Sequence, residues 1–171
     1  MKKVLVSTLF IIVIVISYLI YDEFSFSPLR GDDFQKLFKG YNESFDKFCS
    51  KDFLGLSFHG ELFDIYQYRT KGALIDKSFP MITEWEHKEI TNETLVGKWK
   101  NCPLDSQTTV LYKLALTSNN LDELKCCNSF NKVILNPNNY YCYVYFNDLE
   151  QYFLLYCTGS QELYYIRKRG F

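Results

Sequence analysis

Residues 4–21 form an uncharged, strongly apolar run, preceded by Lys2 and Lys3 and closed by Asp22 and Glu23. As an α-helix those 18 residues would rise about 27 Å, close to the hydrocarbon thickness of a bilayer. The run is rich in Val and Ile, poor helix formers in water. In lipid every backbone group must be bonded within the segment, which makes a helix the only single-span solution. The expectation is therefore an N-terminal transmembrane signal-anchor over residues 1–23. A cleaved signal is the competing reading. Its best small-residue site, Val15-Ile16-Ser17, is followed by further apolar residues to Tyr21, and Ser25-Phe26-Ser27 is followed directly by Pro28. Retention is favoured. Lysines before the run and acids after it place the N-terminus in the cytoplasm. The protein is thus expected in the cell membrane as a single-pass chain with an extracytoplasmic C-terminal domain, periplasmic in a Gram-negative source.

A juxtamembrane linker over 24–31 and one extracytoplasmic domain over 32–171 complete the expected organisation. Two of the 19 basic residues precede the run and all 20 acidic ones follow it, so the remainder carries 17 basic against 20 acidic. Such a balance gives nucleic acid no electrostatic footprint. Fourteen Tyr and 15 Phe exclude a disordered chain. Six cysteines, Cys49, Cys102, Cys126, Cys127, Cys142 and Cys157, all lie beyond the apolar run. In an oxidising compartment they read as disulfide staples. No CxxC pair supports zinc or thioredoxin-type chemistry, and no other spacing implies a metal or cofactor.

Asp32 and Asp33 suit a helix start. Phe34, Leu37, Phe38, Tyr41, Phe45 and Phe48 follow at helical spacing and predict one long amphipathic helix ending near Cys49. From Phe53 the period changes to two, with a hairpin turning at His59-Gly60. Residues 70–80 read as a loop. Glu84-Trp85-Glu86-His87-Lys88-Glu89 lacks the i, i+4 partner of a metal-binding helix and reads as a solvated strand edge. Residues 109–117 alternate as a strand, and 121–128 as a short helix.

Residues 140–147, 152–158 and 162–168 predict three successive antiparallel strands, the last two joined at Gly159-Ser160. A four-residue loop over 148–151 would set Cys142 opposite Cys157 and predicts a disulfide between them. That register collects Cys142, Val144, Phe146, Phe153, Leu155, Cys157, Tyr164 and Ile166 on a core face. The opposite face then carries Tyr141, Tyr143, Tyr145, Tyr152, Tyr156 and Tyr165, with Leu154. A one-residue slip would exchange the sets. Arg167-Lys168-Arg169 reads as a solvated basic tip.

The predicted fold is α+β: an N-terminal transmembrane helix, then one long amphipathic helix packed on a mainly antiparallel, hairpin-built sheet. Tyrosine suits contacts with other proteins, because it pairs an apolar ring with a polar tip. The functional expectation is a non-catalytic, membrane-anchored protein-interaction module, such as an envelope assembly or immunity factor, using the tyrosine face. The alternative is a binder of a small apolar ligand held between helix and sheet. An enzyme with Cys49 or Cys127 as nucleophile and His59 or His87 as base ranks third, since no nucleophile–base–orienter set is visible.

Overall fold

The computed structural model describes residues 8, 10–17, 26–54, 60–112 and 130–170. The chain divides into two units, residues 1–30 and 31–171. In the first, residues 10–17 are helical. Among the described residues no helix is long and apolar enough to cross a membrane, which corrects the expected transmembrane helix. The rest of the predicted span lies outside the described residues.

The second unit is built on one six-stranded antiparallel sheet. Its C-terminal strands are β6 (Tyr140–Asn147), β7 (Glu150–Cys157) and β8 (Glu162–Arg169). Aromatic and branched side chains fill them, as half-buried and buried pleats favour. With β1 (Phe45–Asp52), β2 (Leu62–Thr70) and β5 (Leu95–Asn101), the spatial order is β1-β2-β8-β7-β6-β5. A separate two-stranded hairpin joins β3 (Glu84–Trp85) to β4 (Lys88–Glu89).

The β6–β7 register differs from expectation. Cys142 faces Leu154 and Tyr143 faces Phe153, with an irregularity between Tyr145 and Asn147. The Asn147 side chain accepts the Leu149 backbone N–H at 2.9 Å, an Asx turn that closes the connection in two residues rather than four. This odd-numbered shift turns β6 over relative to β7. Tyr141, Tyr143 and Tyr145 now share a layer with Phe153, Leu155, Cys157, Tyr164 and Ile166. Cys142 points to the other face, and Cys142 and Cys157 are both free thiols, so the predicted Cys142–Cys157 disulfide does not form.

Both faces of the sheet are covered. On one, α1 (Gly31–Leu37) buries Phe34 and Leu37. The expected long helix is absent: α1 spans 7 residues, and Gly40 takes a left-handed φ of 65° that ends the helical path. The aromatic stripe remains buried by other means. Phe45, already on β1, stacks on Phe34 at 4.1 Å, and Phe38 stacks on Trp99 at 5.4 Å. A helical repeat was thus met by one short helix and a returning strand.

On the opposite face lie α2 (Ser106–Leu111) and α3 (Phe130–Leu135). Asp105 caps α2 by accepting the Thr108 N–H at 2.7 Å, so the start of the predicted strand at 109–117 is helical instead. Tyr112 packs its ring on Tyr143 and Phe153, and its hydroxyl lies 3.2 and 3.1 Å from the Val144 and Tyr152 carbonyls. Gly97 on β5 sits beneath the Tyr143 ring, where a Cβ would come within 2.4 Å. The expected turn at His59, the strand before it beyond Leu54 and the helix at 121–128 lie outside the described residues.

Candidate functional sites at opposite ends of the sheet

Period-two alternation on β2 and β8 points Asp64, Tyr66, Tyr165 and Arg167 to the face covered by α1. Arg167 pairs across the strands with Asp64. Its guanidinium donates to Asp64 through Nε (2.9 Å) and Nη2 (2.6 Å), and through Nη1 to Glu86 (3.2 Å). This fork geometry is specific to arginine. The Tyr66 hydroxyl donates to Asp64 at 3.0 Å, and the Tyr66 ring lies 5.1 Å from the guanidinium carbon. Arg167 and Asp64 side chains are each 8% exposed and Glu86 18%. Burial by itself would lower the Arg167 pKa, but the bonds and charges of Asp64 and Glu86 raise it overall. Burial, then the Asp64 charge, push the Tyr66 phenol up.

Glu86 reaches this cluster from the turn of the β3–β4 hairpin. Both turn residues are left-handed, Glu86 at φ 49° and His87 at φ 66°, the conformation that two-residue hairpins normally give to Asn-Gly. The strain of a non-glycine turn is offset by what Glu86 gains, namely Arg167 and the Tyr165 hydroxyl at 3.0 Å. Trp85, 2% exposed, donates its indole N–H to the same hydroxyl at 2.9 Å. Lys88 on β4 pairs with Glu150, which also accepts the Tyr152 hydroxyl at 2.7 Å. The 84–89 segment is a clamp on the sheet, with His87 exposed at its tip.

The opposite end of the sheet carries a cleft of about 330 Å³ between α3 and the β7–β8 turn. Lys132, Asn136, Asn139, Cys157, Ser160, Glu162 and Tyr164 line it. Gln67 on β2 donates to the Glu162 carboxylate at 2.9 Å and to the Tyr164 hydroxyl at 3.0 Å. Buried Asn139 donates to the Val133 carbonyl at 2.8 Å, which fixes α3 to the start of β6.

The six predicted tyrosines are not one surface. Tyr141, Tyr143, Tyr152, Tyr156 and Tyr165 are 7% exposed or less, and the register divides the six between the two faces. Their hydroxyls serve the interior: Tyr141 donates to Asp105 at 3.1 Å and Tyr156 to the Ala73 carbonyl at 3.0 Å. Tyr145 alone of the six is half-buried. The solvated basic tip is also corrected, since Arg167 and Lys168 are 7% and 6% exposed. Arg167 could have been found by extending the alternation of Leu163 and Tyr165 by one step. Lys132 and Glu162 carry no local signal, because only the tertiary fold brings them to one cleft. Among the described residues no group of three or more His, Cys, Asp or Glu could hold a metal. Cys127 and His59, two of the residues considered for a Cys–His pair, lie outside the described residues.

Compared with protein-family models, curated proteins and solved structures, the chain matches none.

Proposed function

We propose that the 31–171 unit is a non-catalytic protein-interaction module whose contact surface is the β6–β7 turn and the adjoining start of β5. One observation carries this reading: exposed apolar side chains cluster there. Leu149 in the turn is 57% exposed and Leu95 43%. Leu95 faces half-buried Tyr145 across β5–β6, and half-buried Phe146 follows in sequence, with the Lys88 ammonium 5.7 Å from its ring. An aromatic and aliphatic centre rimmed by charge is the usual anatomy of a contact patch. Between α1 and the sheet, Phe38, Trp99 and Tyr156 pack on one another, and Phe34 packs on Phe45 and Tyr68. That packing occupies the space an apolar ligand would need and weighs against the alternative reading.

The test places a photocrosslinking residue at Leu149 and, as a control, at Leu135, which is 67% exposed on α3. A protein partner crosslinked from position 149 and not from 135 is expected. Leu95→Ala with Leu149→Ala, both exposed, should weaken that partner's binding about thirtyfold, or about 2 kcal/mol, at unchanged melting temperature. Equal crosslinking at both positions, or unchanged affinity in the double variant, rejects the reading.

A further inference from the structure

We propose that the cleft between α3 and the β7–β8 turn binds a small zwitterion of the free α-amino-acid class. Lys132 would meet its carboxylate and Glu162 its ammonium. The two side chains line the same cleft yet form no ion pair with each other. Among the described residues neither pairs with any other charge. Lys132 is exposed and Glu162 half-buried, so both charges stand at the open mouth of the cleft.

The carboxylate is held in position. Gln67, 3% exposed, donates to one Glu162 oxygen, so the group is oriented by a buried amide on a neighbouring strand. The opposite wall is fixed as well: Asn139 ties α3 to β6, and the Thr158 hydroxyl donates to the Asn138 carbonyl at 3.0 Å. Two opposite charges that line one cleft without joining favour a ligand bearing one charge of each sign. A simple anion or cation would satisfy one wall only. The Ser160 hydroxyl and the Asn136 amide add neutral polar groups along the rim. A volume of about 330 Å³ is at the small end for ligand sites and suits a free amino acid better than a nucleotide or a sugar chain.

The test uses the whole chain and free L-amino acids, added one at a time to millimolar concentration, with acetate and methylammonium as single-charge controls. Backbone amide chemical shifts report occupancy at Ser160, Glu162 and Tyr164. At least one amino acid is expected to shift these amides saturably, with both controls at least tenfold weaker. Lys132→Gln and Glu162→Gln should each weaken it at least tenfold, equivalent to about 1.4 kcal/mol. Gly159 lines the cleft and has no atom within 4 Å of where a Cβ would stand, so Gly159→Phe should fill the space and abolish binding without unfolding. The proposal is overturned if no amino acid shifts these amides, if acetate or methylammonium binds as well as the zwitterion, or if Lys132→Gln leaves affinity unchanged. Should Glu162→Gln disturb the fold through Gln67, Lys132→Gln and Gly159→Phe decide alone. None of these readouts involves Leu149, so the outcome is independent of the proposed contact surface.

Discussion

The two ends of the sheet handle charge in opposite ways. At the β3–β4 end, Arg167 and Lys88 are matched by Asp64, Glu86 and Glu150, and each of the three carboxylates also accepts a tyrosine hydroxyl. At the β7–β8 end, Lys132 and Glu162 share a cleft unpaired. Buried charges demand partners because desolvation is costly, so the first arrangement is what stability requires of a polar interior. Charges at an open cleft face no such demand, since water satisfies them until a ligand displaces it. Complete pairing thus marks structure, and the unpaired Lys132 and Glu162 mark the cleft proposed above to bind.

The sharpest way to break this contrast is Arg167→Ala. Removing the cation strands Asp64 and Glu86 in the interior, and a loss of about 3–5 kcal/mol is expected, read by urea denaturation. A loss below about 1 kcal/mol would show the cluster to be solvated. Glu86→Gln keeps the shape and removes one charge. It should cost about 1.5–3 kcal/mol, the range for a hydrogen bond to a charged group, and should raise hydrogen exchange in the 84–89 hairpin.

Asp105 offers a milder comparison. Lys100 at 2.7 Å, with the Thr108 N–H, holds its carboxyl below the usual carboxylate range. A depressed folded-state pKa contributes stability that is present above the unfolded value near 4 and is lost as the pH falls below it. Asp105→Ala should therefore cost about 1 kcal/mol at neutral pH, a typical helix-cap loss, and flatten the acid limb of the stability profile. Melting curves across the acid range check both. The smallest effect is expected at the cleft itself: Lys132→Gln should change stability by less than about 0.5 kcal/mol. A larger loss would place Lys132 in the structural class.

These contrasts also explain what was readable beforehand. The three C-terminal strands and the β7–β8 turn follow from alternation and turn chemistry, and Cys157 does face Glu162 in register with a turn centred on Gly159 and Ser160. The β6 register did not follow, because it depends on one Asn147 side-chain bond that no periodicity encodes. Phe34, Leu37, Phe38 and Tyr41 were rightly core, but their spacing does not reveal that Gly40 breaks the helix and sends Phe45 back along a strand. The tyrosines illustrate the deeper limit. A ring with a hydroxyl suits a surface or an interior equally well, and the layers on both faces of the sheet decided for the interior.

The position of β8 has a consequence for how the chain is made. It is the last strand in sequence, yet it lies inside the sheet, with β2 on one side and β7 on the other. Its pairing with β2 joins Leu62 to Arg169, so this ladder cannot begin while residues 162–169 are still inside the ribosome. Until then the β1–β2 hairpin waits with one backbone edge unoccupied, a ready template for unwanted strand addition. Long-range antiparallel pairing of this kind is also intrinsically slow. The sheet therefore closes only after residues 162–169 have left the ribosome, and a nascent chain stalled before residue 162 leaves the β2 edge open to the cell's chaperones.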